Sequence, residues 1–141
     1  MAARQKKINV RDPEFRLQVV QEYLRLWAEF FQFIDDDIRD RKIGPEDEKR
    51  FFQHVTALAS RHLALMEAAG DDMKKAEDMV NILNEAVSLS YIKTMPDAHF
   101  SKLQVDWHEL FLELNKCVGR ILKDPKLIKK LRAKQQPTAQ A

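Results

Sequence analysis

One stretch of the sequence, residues 14–43, constrains the fold most, because it holds six of the chain's twelve aromatic residues. Read as a helix at 100° per residue, it places apolar side chains on two neighbouring stripes. These stripes are Phe15, Val19, Tyr23, Leu26, Phe30 and Phe33, and Val20, Leu24, Trp27, Phe31, Ile34 and Ile38. Together they cover roughly 200°, whereas a surface helix needs an apolar arc of about 100°. We therefore expect other helices, from this chain or from a second copy, to cover this helix on two sides.

Start and stop signals divide the rest of the chain into further helices. Asp12-Pro13 opens the first helix, because Asp accepts hydrogen bonds from the first-turn amides and Pro sacrifices none there. Gly70 closes the second helix as a left-handed C-cap. The sequence shows no alternating strand pattern and predicts an all-α fold, an antiparallel four-helix bundle with a short basic C-terminal helix. The predicted helices span about 13–43, 45–69, 71–95, 97–122 and 125–133.

Charge divides the chain into two basic ends and an acidic body, although the net charge is only +2. We predict a basic N-terminal arm over 1–11, a single helical domain over 12–134 and a disordered tail over 135–141. No apolar run reaches the ~20 residues of a membrane span. The lone Cys117 cannot form an intramolecular disulfide, which favours a reducing compartment. We therefore predict a cytoplasmic protein.

The four histidines lack the partner spacing of a metal site. The Glu-x-x-His pattern of di-iron bundles is absent. The residues three positions before the histidines are Phe51, Ala59, Pro96 and Val105. The acidic cluster from Asp35 to Asp40 lacks the glycine and the spacing of a calcium loop. We predict no metal and no cofactor, find no catalytic residue set and expect a protein that is not an enzyme.

His62 is the most informative single polar residue, because it lies at the centre of the predicted apolar arc of the second helix. Desolvation there would favour the neutral ring. Two interpretations stay open. In one, His62 is structural and bonds to a carbonyl or to a hydroxyl such as that of Tyr23 or Tyr91. In the other it is a ligand or a buried switch, whose protonation at low pH loosens the bundle or its oligomer.

The first and third helices offer more apolar surface than one facing groove would use, and we assign this surplus to a contact with another chain. The predicted interface residues are Tyr23, Trp27, Phe30, Phe33, Ile82 and Leu89. A few large aromatic side chains usually carry most of the affinity of such an interface. The sequence thus predicts a protein-interaction module, an oligomerising adaptor, chaperone-like or scaffold protein. A homodimer is the first expectation, and a second protein partner is an alternative.

Two other functions fit the same residues. A small-molecule or lipid-binding bundle would use the aromatic surplus to line an internal cavity. A protein that binds nucleic acid or an anionic surface would use the basic termini, above all the amphipathic C-terminal helix. The basic residues that helix offers to an anionic partner are Lys126, Lys129, Lys130 and Arg132. The same helix can instead dock Leu127, Ile128 and Leu131 onto the bundle.

Overall fold

The computed structural model describes residues 12–70, 73 and 76–135, and this part of the chain contains helices and no strand. The helices are α1 Pro13–Ile34, α2 Pro45–Ala69, α3 Ala76–Glu85, α4 Leu89–Lys93, α5 Asp97–Leu122 and α6 Pro125–Gln135. A 3₁₀ turn, Asp36–Arg39, follows α1. The prediction of an all-α fold is confirmed. The predicted arm over 1–11 and most of the predicted tail lie outside the described residues.

The Asp12-Pro13 start signal works as predicted, and α2, which also begins with a proline, has a carboxylate at its start as well. The Asp12 carboxylate accepts a hydrogen bond from the Phe15 amide (3.3 Å). At the start of α2 the Asp47 carboxylate accepts one from the Gly44 amide (2.8 Å). At its end, Gly70 has a φ of 54°, which a residue with a Cβ rarely adopts. Helices α2 and α5 therefore have their predicted bounds, and α6 runs two residues further than predicted.

The first predicted helix was too long, because it ends at Ile34 and not at Ile43. Asp35 leaves the helical conformation, and its side chain accepts a hydrogen bond from the Asp37 amide (3.1 Å). A short Asp side chain competes in this way for an amide that would otherwise bond within the helix. Ile38 is still fully buried, so the apolar pattern continued through a break in the helix.

The predicted helix over 71–95 is two helices, α3 and α4, and its first residues lie partly outside the described ranges. Ser88 is extended, and its hydroxyl accepts from the Tyr91 amide (3.0 Å). The Glu48 carboxylate of α2 accepts from the Leu89 and Ser90 amides, at 2.8 and 3.1 Å. A carboxylate from a distant helix therefore satisfies the free amides at the start of α4.

Helix α1 is covered on two sides by its own chain, as α2 packs on one apolar stripe and α5 on the other. Near the start of α1, Arg16 donates to the Ala68 carbonyl at the end of α2 (2.5 Å). Near its end, the Phe30 ring stacks 6.0 Å from Phe51 at the start of α2. The two helices thus run in opposite directions.

Two tryptophans join α1 to α5 through a reciprocal pair of buried hydrogen bonds. The Trp27 indole N–H donates to the Trp107 carbonyl (3.1 Å), and the Trp107 indole N–H donates to the Trp27 carbonyl (2.9 Å). The rings lie nearly parallel, with centroids 6.4 Å apart. This pair fixes the register of the two helices, because a shift by one residue would leave both N–H groups buried without acceptors.

We predict that Trp27→Phe and Trp107→Phe each lower the free energy of unfolding by about 2–3 kcal/mol, through the lost hydrogen bond and lost ring volume. In the double variant, the free energy of unfolding should fall by less than the sum of the two single decreases, because both substitutions disrupt the same reciprocal pair of hydrogen bonds. Urea unfolding followed by circular dichroism measures all three.

Tyr23→Phe is the matched control. It also removes one polar group from a buried aromatic side chain of α1, but the Tyr23 hydroxyl has no hydrogen-bond partner among the described residues. We expect its stability to equal or exceed that of the parent chain. If the decreases in the free energy of unfolding of the two tryptophan variants added exactly, the two hydrogen bonds would not act as one coupled pair.

Candidate functional site

The structure places the predicted interface residues inside the chain. Five of the six are at most 2% exposed: Tyr23, Trp27, Phe30, Ile82 and Leu89. The sixth, Phe33, is half-buried, with its ring edge-on to Phe51 (5.4 Å). The apolar surplus of α1 is used against α2 and α5 of the same chain, so a partner cannot reach it without opening the core. The candidate contact surface is revised accordingly to outward-facing side chains.

One such surface is an open groove of about 730 Å³ that borders α1 and α5, which we call the α1–α5 groove. It is lined by Phe31, Ser101, Gln104, Val105, Trp107, His108 and Glu109. The Trp107 ring contacts both Phe31, with centroids 4.7 Å apart, and Phe111, with centroids 5.1 Å apart. Phe31 and Phe111 are half-buried, so this aromatic cluster has a covered side and an open side.

The rim of the α1–α5 groove combines apolar and polar groups. Val105 is 56% exposed, and Leu112, which lies two turns further along the same face of α5 and outside the lining of the groove, is 45% exposed. The Gln104 amide donates to the Ile34 carbonyl (2.7 Å), which ties α5 to the end of α1. His108 and Glu109 also line the groove. The seven-residue spacing of Val105 and Leu112 was the signal that sequence analysis missed.

A second exposed apolar surface runs along the outer side of α2, and we call it the α2 stripe. It consists of Phe52, Val55, Ala59, Leu63 and Met66. Phe52, Leu63 and Met66 are 70%, 67% and 40% exposed, whereas Val55 is half-buried at its edge. A helix of a monomer normally presents polar residues on this side.

A polar cleft of about 310 Å³ lies between α3 and α5. Its charged lining residues are Asp78, Glu85, Lys102, Asp106 and Glu109. Lys102 bonds to Asp106 (2.7 Å), and this contact raises the pKa of Lys102. In the described part of the chain, no three His, Cys, Asp or Glu side chains are grouped so that they could hold a metal ion. Neither this cleft nor the α1–α5 groove is lined by the Tyr23, Trp27 or Phe30 rings.

His62 is half-buried, and its Nδ1 atom is buried without a hydrogen-bond partner among the described residues. The Tyr23 hydroxyl is likewise buried without a hydrogen-bond partner among the described residues. The predicted bond between His62 and Tyr23 is therefore not formed. Nδ1 does not bond to Tyr91 either. Desolvation lowers the pKa of His62, and burial raises the pKa of Tyr23. Instead, His54 bonds through Nε2 to the Leu26 carbonyl (2.7 Å).

The basic C-terminal helix docks on the body of the chain. Leu127 is fully buried and Ile128 is partly exposed. Lys130 bonds to Asp12 (2.9 Å), and Lys134 forms an ion pair with Glu14. These contacts raise the pKa of Lys130 and lower the pKa of both carboxyl groups. The other predicted contacts for an anionic partner, Lys126, Lys129 and Arg132, are exposed.

Comparison with protein-family models, with curated proteins and with solved structures gives no match to this chain. Within the described residues, no helix is long and apolar enough to cross a membrane. The function is therefore inferred from the chain's own surfaces.

We predict that stability falls as pH is lowered from 7 to about 5.5, because burial lowers the pKa of His62 below its unfolded value. In this window the unfolded chain binds a proton that the folded chain does not, so protonation favours unfolding. Urea unfolding at pH 7, 6.5, 6 and 5.5 measures the trend.

His62→Gln should flatten that trend, and His108→Gln, which replaces an exposed histidine of α5, is the control variant. The window lies above the range in which the carboxyl groups of Asp12, Glu14, Asp47 and Glu48 titrate. If the free energy of unfolding changed with pH equally in the parent and His62→Gln chains, protonation of His62 would not be coupled to unfolding.

Proposed function

We propose that this chain is a non-enzymatic helical-bundle interaction module, an adaptor or scaffold that acts by apolar contact with other protein chains. In this proposal α1, α2, the α3–α4 segment and α5 form an antiparallel bundle. The protein works in the cytoplasm and self-associates, with a homodimer as the basic unit. Its contact surfaces are the α1–α5 groove and the α2 stripe.

The aromatic cluster of the α1–α5 groove is the observation that carries the proposal. Trp107 is only 7% exposed and is held rigidly by its bond to the Trp27 carbonyl, and its ring contacts Phe31 and Phe111, which are half-buried and form the open part of the cluster. Aromatic side chains held on a rigid base and surrounded by a polar rim are typical anchors of protein interfaces. Val105 extends the apolar area on the open side of this cluster.

An amphipathic helix of a partner is the occupant that suits this groove. Val105 and Leu112 lie along one exposed face of α5, and Phe31 supplies the α1 wall. A partner helix could place apolar residues at i, i+3 or i+4 and i+7 against them. His108 and Glu109 stand at the edge, where they would meet its polar side chains.

Binding of an anionic partner through α6 is less well supported than protein contact. Lys130 is already paired with Asp12, the N-cap of α1, and Lys134 with Glu14 in its first turn. Leu127 is turned into the core, so the apolar side of α6 does not face outward as a membrane-binding helix requires.

We predict that a photo-crosslinking amino acid at Val105 captures a discrete protein partner in cells that express the full-length chain. The same group at Asn84, an exposed α3 residue outside the lining of the groove, is the matched control. Mass spectrometry identifies the product. Adding Leu112→Glu should abolish the product, because a partner helix would have to bury the new carboxylate.

Identical products from the Val105 and Asn84 positions, or a product that survives Leu112→Glu, would contradict binding in the α1–α5 groove. Since Leu112 is exposed, circular dichroism should show that the variant remains folded.

A further inference from the structure

The apolar residues of the α2 stripe are spaced symmetrically about its centre. Ala59 stands at its centre, Val55 and Leu63 lie four residues before and after it, and Phe52 and Met66 lie seven before and after. Read in either direction, the stripe therefore presents apolar residues at the same intervals. It extends over about 21 Å at the helical rise of 1.5 Å per residue.

We propose that the α2 stripe binds the α2 stripe of a second copy, antiparallel, about a two-fold axis that passes beside Ala59. This inference rests on the proposed function and names its partner and its register. In a two-fold interface the same patch serves both copies. Phe52 of each copy would then face Met66 of the other, and Val55 would face Leu63.

The small residue at the centre fits this arrangement. At the two-fold axis each residue meets its own equivalent, so the side chain there sets how closely the helices approach. Ala59 adds only a methyl group, while the larger Phe52, Leu63 and Met66 stand to either side, where they can interdigitate. A large central residue with small flanking residues would hold the helices apart.

Charged and hydrogen-bonding groups beside the stripe also pair in this antiparallel arrangement, about a centre at position 58, one residue from the centre of the stripe. In an antiparallel two-fold pair, a flank of one helix meets the equivalent flank of the other. At 100° per residue, Lys49, Thr56, Ser60 and Glu67 lie on one flank of the stripe. Lys49 then meets Glu67 of the second copy, and Thr56 meets Ser60. All four residues are exposed in the single chain, so they are available for these contacts.

Light scattering on the full-length chain over a concentration series tests the use of this face. The parent chain should reach twice the monomer mass. Leu63→Glu should raise the dissociation constant at least about tenfold, because each copy would bury a carboxylate against the other's stripe. Ala64→Glu, exposed on α2 but turned away from the stripe, should leave it unchanged. Leu63 and Ala64 are both exposed, so both variants should fold.

Charge reversal tests the register. Lys49→Glu should weaken the dimer, because it opposes the partner's Glu67 with a like charge, and the double variant Lys49→Glu/Glu67→Lys should restore it. Ala59→Cys should form an intermolecular disulfide on mild oxidation. Ala64→Cys, exposed on α2 but turned away from the stripe, should not, and the parent chain with its buried Cys117 is the blank.

A parent chain that stays monomeric at all concentrations would overturn this inference and leave the groove, tested by cross-linking at Val105, standing. A dimer that Leu63→Glu leaves intact would assign self-association to another face. A dimer that Leu63→Glu disrupts, but in which Ala59→Cys and Ala64→Cys cross-link equally, would overturn the two-fold register.

Discussion

The reciprocal hydrogen bonds between Trp27 and Trp107 are the constraint on which the remaining arrangement depends. Each indole N–H is buried and each finds its acceptor on the opposite helix, so α1 and α5 are held in one register. With that register fixed, one apolar stripe of α1 is closed by α5, and the other is left for α2. Phe30 stacks on Phe51 and His54 bonds to the Leu26 carbonyl on that second side.

This central pairing decides where the chain can meet a partner. It buries the aromatic residues of α1 that could otherwise form a contact surface. The outward sides of α2 and α5 remain uncovered. On α5, Trp107 serves both purposes, because its N–H holds α1 while its ring forms the wall of the α1–α5 groove. On α2, Phe52 and Leu63 remain largely exposed although Leu58 and Leu65 are fully buried.

Apolar periodicity predicted the helices well and predicted their partners poorly. It placed α2 and α5 between the right residues, since proline, glycine and acidic capping residues mark those ends. It carried the first helix past Asp35, because a buried Ile38 continued the pattern beyond the break. It also missed the start of α4, where Ser88 forms a local N-cap and Glu48 from a distant helix accepts from the Leu89 amide. The contribution of Glu48 leaves no local signal.

The contact surfaces were harder to predict for the same reason. A wide apolar arc shows that a helix is covered, but not whether its own chain or another one covers it. The reciprocal tryptophan bonds, which no spacing rule reveals, settle this for α1. For α2, apolar periodicity does not separate Leu58 and Leu65, which are fully buried, from Phe52 and Met66, which are exposed in the folded chain. Only the position of α1 against the opposite side of α2 separates the two groups.

The methyl groups of the methionines provide the most direct test of this account. Met66 is 40% exposed on the α2 stripe, whereas Met79 of α3 is fully buried. In ¹³C-methyl NMR of the full-length chain over a dilution series, the account predicts that the Met66 signal shifts with concentration while the Met79 signal stays fixed. A Met66 signal that is independent of concentration, or a shift at Met79 alone, would contradict it.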